Sequence, residues 1–387
     1  MSRTYSRRLS EIQPFKVMKL LARANALERS GRQIVHMEVG EPDFPTPGPI
    51  VAAGERALEQ GATRYTPAEG ILELRQQISR LYQNQYKLAV PASRIFVTAG
   101  GSGALLLAAA LTMDSGDGLL MTDPGYPCNR HILKSFGGDG HLVPVTPRQN
   151  YQLTAGLIDE HWRSSTKGVL LASPANPTGA IVNQVELTRI AEVIERKQGH
   201  LIVDEIYHGL HYTDQPLTTA LQVTDQAIVV NSFSKYFGMT GWRLGWLVVP
   251  EEAVPLVEKL AQNLFICASS IAQHAALGGF TEVAMIEMES NRLEFRQRRD
   301  YLVGSLRELG FNIPLVPEGA FYIYAGIPKG FADSEAFCDR LLEEYDVAVT
   351  PGTDFGFHEA NLHVRFSYAQ SQDVLARGID NLRRALK

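Results

Sequence analysis

Lys235 lies in the stretch VVNSFSKYFGMTGWRLGW (229–246), where a buried-strand pattern runs into two serines, the lysine and, further on, an arginine. Ser232, Ser234 and Arg243 form a dense set of hydrogen-bond donors of the kind a phosphate requires, and arginine offers it a planar fork. A lysine beside other cations and partly withdrawn from water has a lowered pKa and becomes a nucleophile. Taken alone a lysine is a solvated surface charge; these neighbours reverse that reading. A second stretch, IVDEIYHGL (202–210), sets Asp204 and Glu205 at the end of an apolar run. Open α/β sheets bind ligands at that edge. A carboxylate there serves as metal ligand, general base or partner of a cationic cofactor, and Tyr207 follows one turn onward.

Three more segments carry polar groups in shaped backbone. In AGGSG (99–103) a strand feeds a glycine-rich turn that opens a helix, an arrangement that binds anions through free N–H groups or is a plain tight turn. It is neither a Walker loop nor GxGxxG. SPANPTGAI (173–181) sets Asn176 in a rigid, proline-flanked turn able to aim an amide at a ligand. LHVRFSYA (362–369) places Arg365 within an alternating strand, where a buried guanidinium needs an anion from the protein or from a substrate. His208 and His211 lie three apart with no further ligand cluster, so they read as ordinary polar residues rather than a metal site.

These residues need a scaffold, and the chain is long enough to build one. It has 387 residues, 45% of them hydrophobic and 20% charged, the composition of a globular protein with a sizeable core. Strand-like runs at Arg94–Thr98, Gly118–Met121, Gly168–Ala172, Leu201–Val203, Ala227–Val230 and Leu244–Val249 alternate with helical patterns such as Ile50–Gln60 and Leu72–Tyr86. Continuous apolar strands alternating with helices predict an α/β architecture with a mostly parallel sheet between helices. After a long charged helix pattern near residues 285–310, short strands around GAFYIYAGI and HVRFSYA and a closing helix predict a smaller α+β domain. The expected division is a large domain over 47–285 and a small domain made of 1–46 and 286–387.

The net charge of −5 gives no sign of a polyanion partner, and the basic start (Arg3, Arg7, Arg8, Lys16, Lys19) reads as a solvated arm. No apolar core follows that start, and the most apolar run, Ala104 to Met113, falls short of the roughly 20 residues that span a bilayer. The three cysteines, Cys128, Cys267 and Cys338, lack metal or disulfide spacing. A cytoplasmic protein without nucleic-acid or membrane partners is expected.

Taken in order, VGEPDFPTP, RYTPAEGILELR, TAGGSGA, DPGYP, SPANPTG, DEIY, SFSK and GWRLG make the chain resemble the class I and II aminotransferases of the aspartate aminotransferase superfamily, enzymes of fold type I that use pyridoxal 5′-phosphate. The resemblance runs from residue 39 to residue 369. It implies a seven-stranded sheet and amino-group transfer between an L-amino acid and a 2-oxo acid through a Lys235 Schiff base and pyridoxamine phosphate. It implies that Asp204 pairs with the pyridine nitrogen, that Tyr207 and Asn176 donate to the ring oxygen, and that Tyr126 stacks on the ring. Gly101, Ser102, Ser232, Ser234 and Arg243 correspond to the phosphate cup, Gly40 and Arg365 to the groups that hold the substrate α-carboxylate. Tyr65 corresponds to a residue reaching the partner subunit's phosphate, which implies a homodimer with shared active sites. Cys128-Asn129 and Ser102 depart from the commoner residues at those places. A β-lyase or another non-transaminating enzyme on the same scaffold is the alternative, because the cofactor cup is common to all of these. Phe15, Lys16, Cys128, Asn129 and Phe321 are candidates for side-chain specificity; no second arginine is placed for a distal carboxylate.

Overall fold

The structure is a computed structural model that describes residues 5–214, 217–331 and 333–387; Arg3 lies outside the described residues. Seven strands form the main sheet: β1 (Ile95–Thr98), β2 (Gly118–Asp123), β3 (Asp139–Pro144), β4 (Thr166–Ala172), β5 (His200–Asp204), β6 (Ile228–Ser232) and β7 (Gly245–Val248). Their order across the sheet is β1-β7-β6-β5-β4-β2-β3. All pairings are parallel except those of β7, which runs antiparallel to β1 and β6. Six of the seven strands stand where apolar runs predict them. The seventh, β3, sits at the sheet edge with only one fully buried residue, so its sequence carries no continuous apolar run.

Side chains alternate between two cores, as strand pleating requires. Val169, Leu171, Val203 and Val229 face one side, with Leu74 and Ile78 of helix Leu72–Tyr86 and Leu187 and Ile190 of helix Gln184–Arg196. Leu170, Ile202 and Val230 face the other, with Ala104 and Ala108 of helix Gly100–Thr112 and Val257 of helix Val254–Leu264. Burial on both faces explains why the strands read as unbroken apolar runs.

A further core collects Ile323 and Ala325 of strand Tyr322–Gly326, Val364 and Phe366 of strand His363–Ser367, and Phe337, Leu375 and Ile379 from helices Ser334–Tyr345 and Gln372–Ala385. Strand Val35–His36 pairs parallel with Val347–Ala348, which ties the N-terminal segment to this core. Helix Glu282–Glu308 joins the two regions: Ala284 and Met288 pack under the large sheet, Phe295 and Leu302 in the further core. Residue 285 therefore lies inside a continuous helix. Among the described residues, no helix is long and apolar enough to cross a membrane.

Candidate active site

Five chain segments deliver polar groups to one edge of the sheet. Asp204 and Ser232 are the last residues of β5 and β6; helix Gly100–Thr112 starts just after β1, Tyr126 follows β2, and Asn176 follows β4. These are the carboxyl ends of strands that share one direction, where helix N-termini and loops leave a crevice. A cavity of about 390 Å³ opens there. Lys235, Asp204, Tyr207, Tyr126, Asn176, Arg243, Gly40 and Arg365 all line it.

Lys235 donates from Nζ to the Gly40 carbonyl at 2.7 Å and lies 5.6 Å from the Phe321 ring centre. Burial, together with Arg365 and Arg243, lowers its pKa to about 8, against the opposing pull of Glu41 and Asp204. Asp204 is buried, and its Oδ1 accepts from the Ile206 N–H at 3.2 Å. Burial pushes its pKa up to about 7, although that N–H and Lys235 favour the charged form. The site thus holds a reactive amine and a carboxyl whose charge waits for a cation.

Arg365 is 2% exposed and, among the described residues, has no carboxylate within salt-bridge distance. Nη1 donates to Asn176 Oδ1 at 3.0 Å, Nη2 donates to the Glu38 carbonyl and to Thr350 Oγ1, and Nε has no partner. Its guanidinium lies 4.3 Å from the Tyr322 ring centre and 4.7 Å from that of Phe355. Neutral acceptors and ring faces recover only part of the several kcal/mol that burying a lone charge costs, so an incoming carboxylate is strongly favoured. Of the two anion sources the sequence leaves open, no protein carboxylate is salt-bridged to Arg365 among the described residues, although Asp354 lies close enough to feel its charge.

Three of the residues expected at the phosphate, Gly101, Ser232 and Ser234, lie together at the rim. Gly101, Ser102, Ser232 and Ser234 do not line the cavity. Ser232 Oγ accepts from the Ser234 N–H at 3.0 Å, and a Cβ on Gly101 would stand 3.6 Å from the Ser232 Cβ. Arg243 connects rim and cavity; it has a positive φ of 54° and donates to the Thr240 carbonyl at 3.0 Å. A Cβ on Gly100, whose φ is 73°, would meet Arg243 Nη2 at 2.7 Å and push that guanidinium aside. Tyr65 is not brought in: it is 81% exposed and does not line this chain's cavity.

Sequence reasoning missed several residues. Tyr322 bonds the Tyr207 hydroxyl at 3.0 Å, and its own hydroxyl occupies the space a Cβ on Gly40 would need. Gly245, the last residue of GWRLG, lets the start of helix Gly100–Thr112 approach the sheet, since a Cβ there would meet Gly101 N at 2.8 Å. Asp354 holds the helix of the N-terminal segment, and no local motif marks it. Of the specificity candidates, Phe15 lines the cavity, whereas Lys16 turns to Glu335 and Phe321 is buried in the core. Cys128 and Asn129 do not line it. His208 holds Tyr86 at 2.6 Å, in the buried layer behind the site, and burial lowers its pKa to about 3.

The family pattern described as aminotransferase class I and II matches residues 32–382, and the chain belongs to that family. A valine–pyruvate aminotransferase from Mycobacterium tuberculosis is 39% identical, the match covering 92% of each chain. A (5-formylfuran-3-yl)methyl phosphate transaminase from Methanocaldococcus jannaschii is 36% identical over 98% of this chain and 99% of its own. Among solved structures, an aminotransferase from Mycobacterium tuberculosis superposes with a TM-score of 0.96 at 37% identity, covering 100% of this chain and 99% of that one. The aspartate aminotransferase of Thermus thermophilus with maleate superposes with a TM-score of 0.93 at 32% identity, covering 99% and 100%. The expected fold and the expected reaction class both stand: this enzyme is an aminotransferase.

Proposed function

We propose that the protein transfers the amino group of an L-amino acid to a 2-oxo acid with pyridoxal 5′-phosphate held at Lys235. The observation that carries this reading is the pairing, in one cavity, of an amine of lowered pKa with a buried arginine that lacks a carboxylate partner. The donor set suits the cofactor. Lys235 offers an amine to an aldehyde, Asp204 a buried carboxyl to a ring nitrogen, and the rim cluster with Arg243 a cradle for phosphate. Tyr207 and Asn176 are suited to the ring oxygen, and Tyr126 to the ring face.

When bound, the cofactor supplies an aldehyde that takes the amino group and a ring that accepts the electron pair of the Cα–H bond. The protein's residues do the rest. Arg365 binds the substrate α-carboxylate through its fork and fixes orientation as well as charge. Asn176 keeps that fork in place through the Arg365 hydrogen bond at 3.0 Å. The Lys235 amine removes the proton from the substrate Cα and, in the reverse half-reaction, returns one to the Cα of the product. Burial raises the Tyr207 pKa, so its hydroxyl remains a donor throughout.

The same proposal includes a homodimer in which Tyr65 reaches the partner's site, a large domain over 47–285 with a small domain of 1–46 and 286–387, and a cytoplasmic location. Exposure of both Tyr65 and Arg243 supports the dimer. The three unpaired cysteines support a reducing compartment.

The deciding experiment is borohydride reduction of the yellow holoprotein followed by peptide mapping. Label is expected on Lys235, and Lys235→Ala should lose multiple-turnover transamination. Full turnover by that variant would sink the assignment. Product release without added 2-oxo acid, as ammonia and pyruvate, would indicate a lyase instead.

A further inference from the structure

Helix Lys16–Arg29 forms one wall of the cavity through Val17, Met18 and Leu21, together with Phe15 just before it. Every one of these side chains is apolar. The cations lining the cavity, among the described residues, are Lys235, Arg243 and Arg365. The mechanism proposed above engages all three, so this chain itself leaves none for a second carboxylate. Glu41 also lines the cavity and would repel one. Two further cations, Lys16 at the start of the helix and Arg130, are committed elsewhere. Lys16 Nζ pairs with Glu335 at 2.5 Å, and Arg130 donates to the Asp354 carbonyl at 3.1 Å without lining the cavity.

The wall has an unusual anchor. No side chain of its own caps the helix start. Instead the carboxylate of Asp354, more than 330 residues away in sequence, accepts the Lys16 N–H on Oδ1 at 3.0 Å and the Val17 N–H on Oδ2 at 3.4 Å. Asp354 is 3% exposed. The next residue, Phe355, packs its ring against the Arg365 guanidinium. One short segment therefore ties the wall to the arginine that receives the α-carboxylate. A free helix N-terminus prefers a carboxylate cap by about 1 kcal/mol, and burial of this one makes it more than a surface cap.

We propose that this wall is the subsite for the substrate side chain, that it selects an uncharged apolar amino acid over a dicarboxylic one, and that Asp354 is the positioning residue that sets the wall's distance from Arg365. The proposal rests on the transamination reading, which makes the donor an amino acid and commits Lys235, Arg243 and Arg365. An alanine methyl is too short to reach far along the wall, whereas a leucine or norvaline side chain can lie against it. Each methylene buried in an apolar pocket discriminates by about tenfold or more.

Two measurements on the full-length, cofactor-loaded protein test it. In the first, kcat/KM is compared for alanine, 2-aminobutyrate, norvaline, leucine, aspartate and glutamate. The value should rise along the apolar series and exceed that of both acidic donors. In the second, calorimetry compares 4-methylpentanoate with glutarate, neither of which can react. The apolar acid should bind at least tenfold more tightly. Asp354→Ala should lower the leucine-to-alanine ratio of kcat/KM at least tenfold, mainly through KM. Asp354→Asn, which keeps an acceptor oxygen, should recover most of that loss. Phe15→Ala should lower the same ratio without touching the anchor. Tighter binding of glutarate, preference for an acidic donor, or an Asp354→Ala protein with an unchanged ratio would each overturn the subsite. A protein that is labelled at Lys235 and prefers glutamate loses only this proposal. One that converts no donor and takes no label loses the transamination reading, and the two unreactive acids still decide the subsite.

Discussion

Burial is the largest influence at both Lys235 and Asp204; at Lys235 it is reinforced by Arg365 and Arg243 and opposed by Glu41 and Asp204, and at Asp204 it is opposed by Lys235. Lys235 is pulled down to about 8 and Asp204 is pushed up to about 7. Both pKa values are thereby brought close to a working pH, so that each group can gain or lose a proton without a large penalty. The shift at Asp204 has a measurable consequence in the cofactor-free protein. Its folded pKa lies above the ordinary 3.8, so the folded state holds the extra proton between roughly pH 4 and 7. The stability this contributes is present in acid and is lost as pH rises through 7. Asp204→Asn removes that dependence. Urea midpoints should therefore show the variant gaining on the parent protein between pH 5 and pH 8, with no further gain above that. A gain that grew toward acid would contradict the sign.

At the scale of elements, the site depends on how closely helix Gly100–Thr112 approaches the sheet. Gly100 adopts a left-handed backbone and touches Arg243, and Gly245 clears the path from the sheet side. Gly100→Ala should cost about 1 kcal/mol or more in stability from its positive φ alone. It should also raise the dissociation constant for pyridoxal phosphate in equilibrium dialysis by displacing Arg243. The opposite change is expected at a helix end remote from chemistry. Lys87 ends helix Leu72–Tyr86 with φ of 58°, and its ammonium bonds only the nearby Asn84 carbonyl. Lys87→Gly should raise stability by roughly 0.5–1 kcal/mol in urea titration, with turnover unchanged.

At the scale of the whole molecule, one chain leaves the Arg243 side of the cavity exposed. Arg243 and the 81% exposed Tyr65 both stand at the surface, and helix Gly100–Thr112 has no side-chain cap at its start. A second copy covering this face would bury them and exclude water from the site. Sedimentation should give a dimer. Tyr65→Phe should weaken cofactor affinity several-fold with the dimer intact. Mixing Tyr65→Phe with Lys235→Ala subunits should give heterodimers with one site lacking both residues and the other complete. A monomer with full activity would overturn the shared site.

Most of the sheet and many of the residues that line the cavity were legible in the sequence for a local reason. Strands buried on both faces must be continuously apolar, and the groups at their carboxyl ends sit next to those runs in the chain. Lys235, Asp204, Tyr207, Asn176 and Arg365 could all be singled out from such short stretches. The edge strand β3 could not, because one-sided burial leaves no unbroken apolar run. Only the tertiary structure could decide which charges are paired. Among the described residues it leaves Arg365 without a salt-bridged carboxylate, turns Lys16 outward to Glu335 and keeps Tyr65 away from its own chain's cavity. It also brings Asp354 to the start of a helix more than 330 residues away and sets Tyr322 against Gly40. No local propensity encodes such contacts, because they are set by the packing of distant segments. The residue types and their order along the chain determined the chemistry; the meeting of the N-terminal helix, Arg365 and Asp354 decided the shape of the space in which that chemistry selects its substrate.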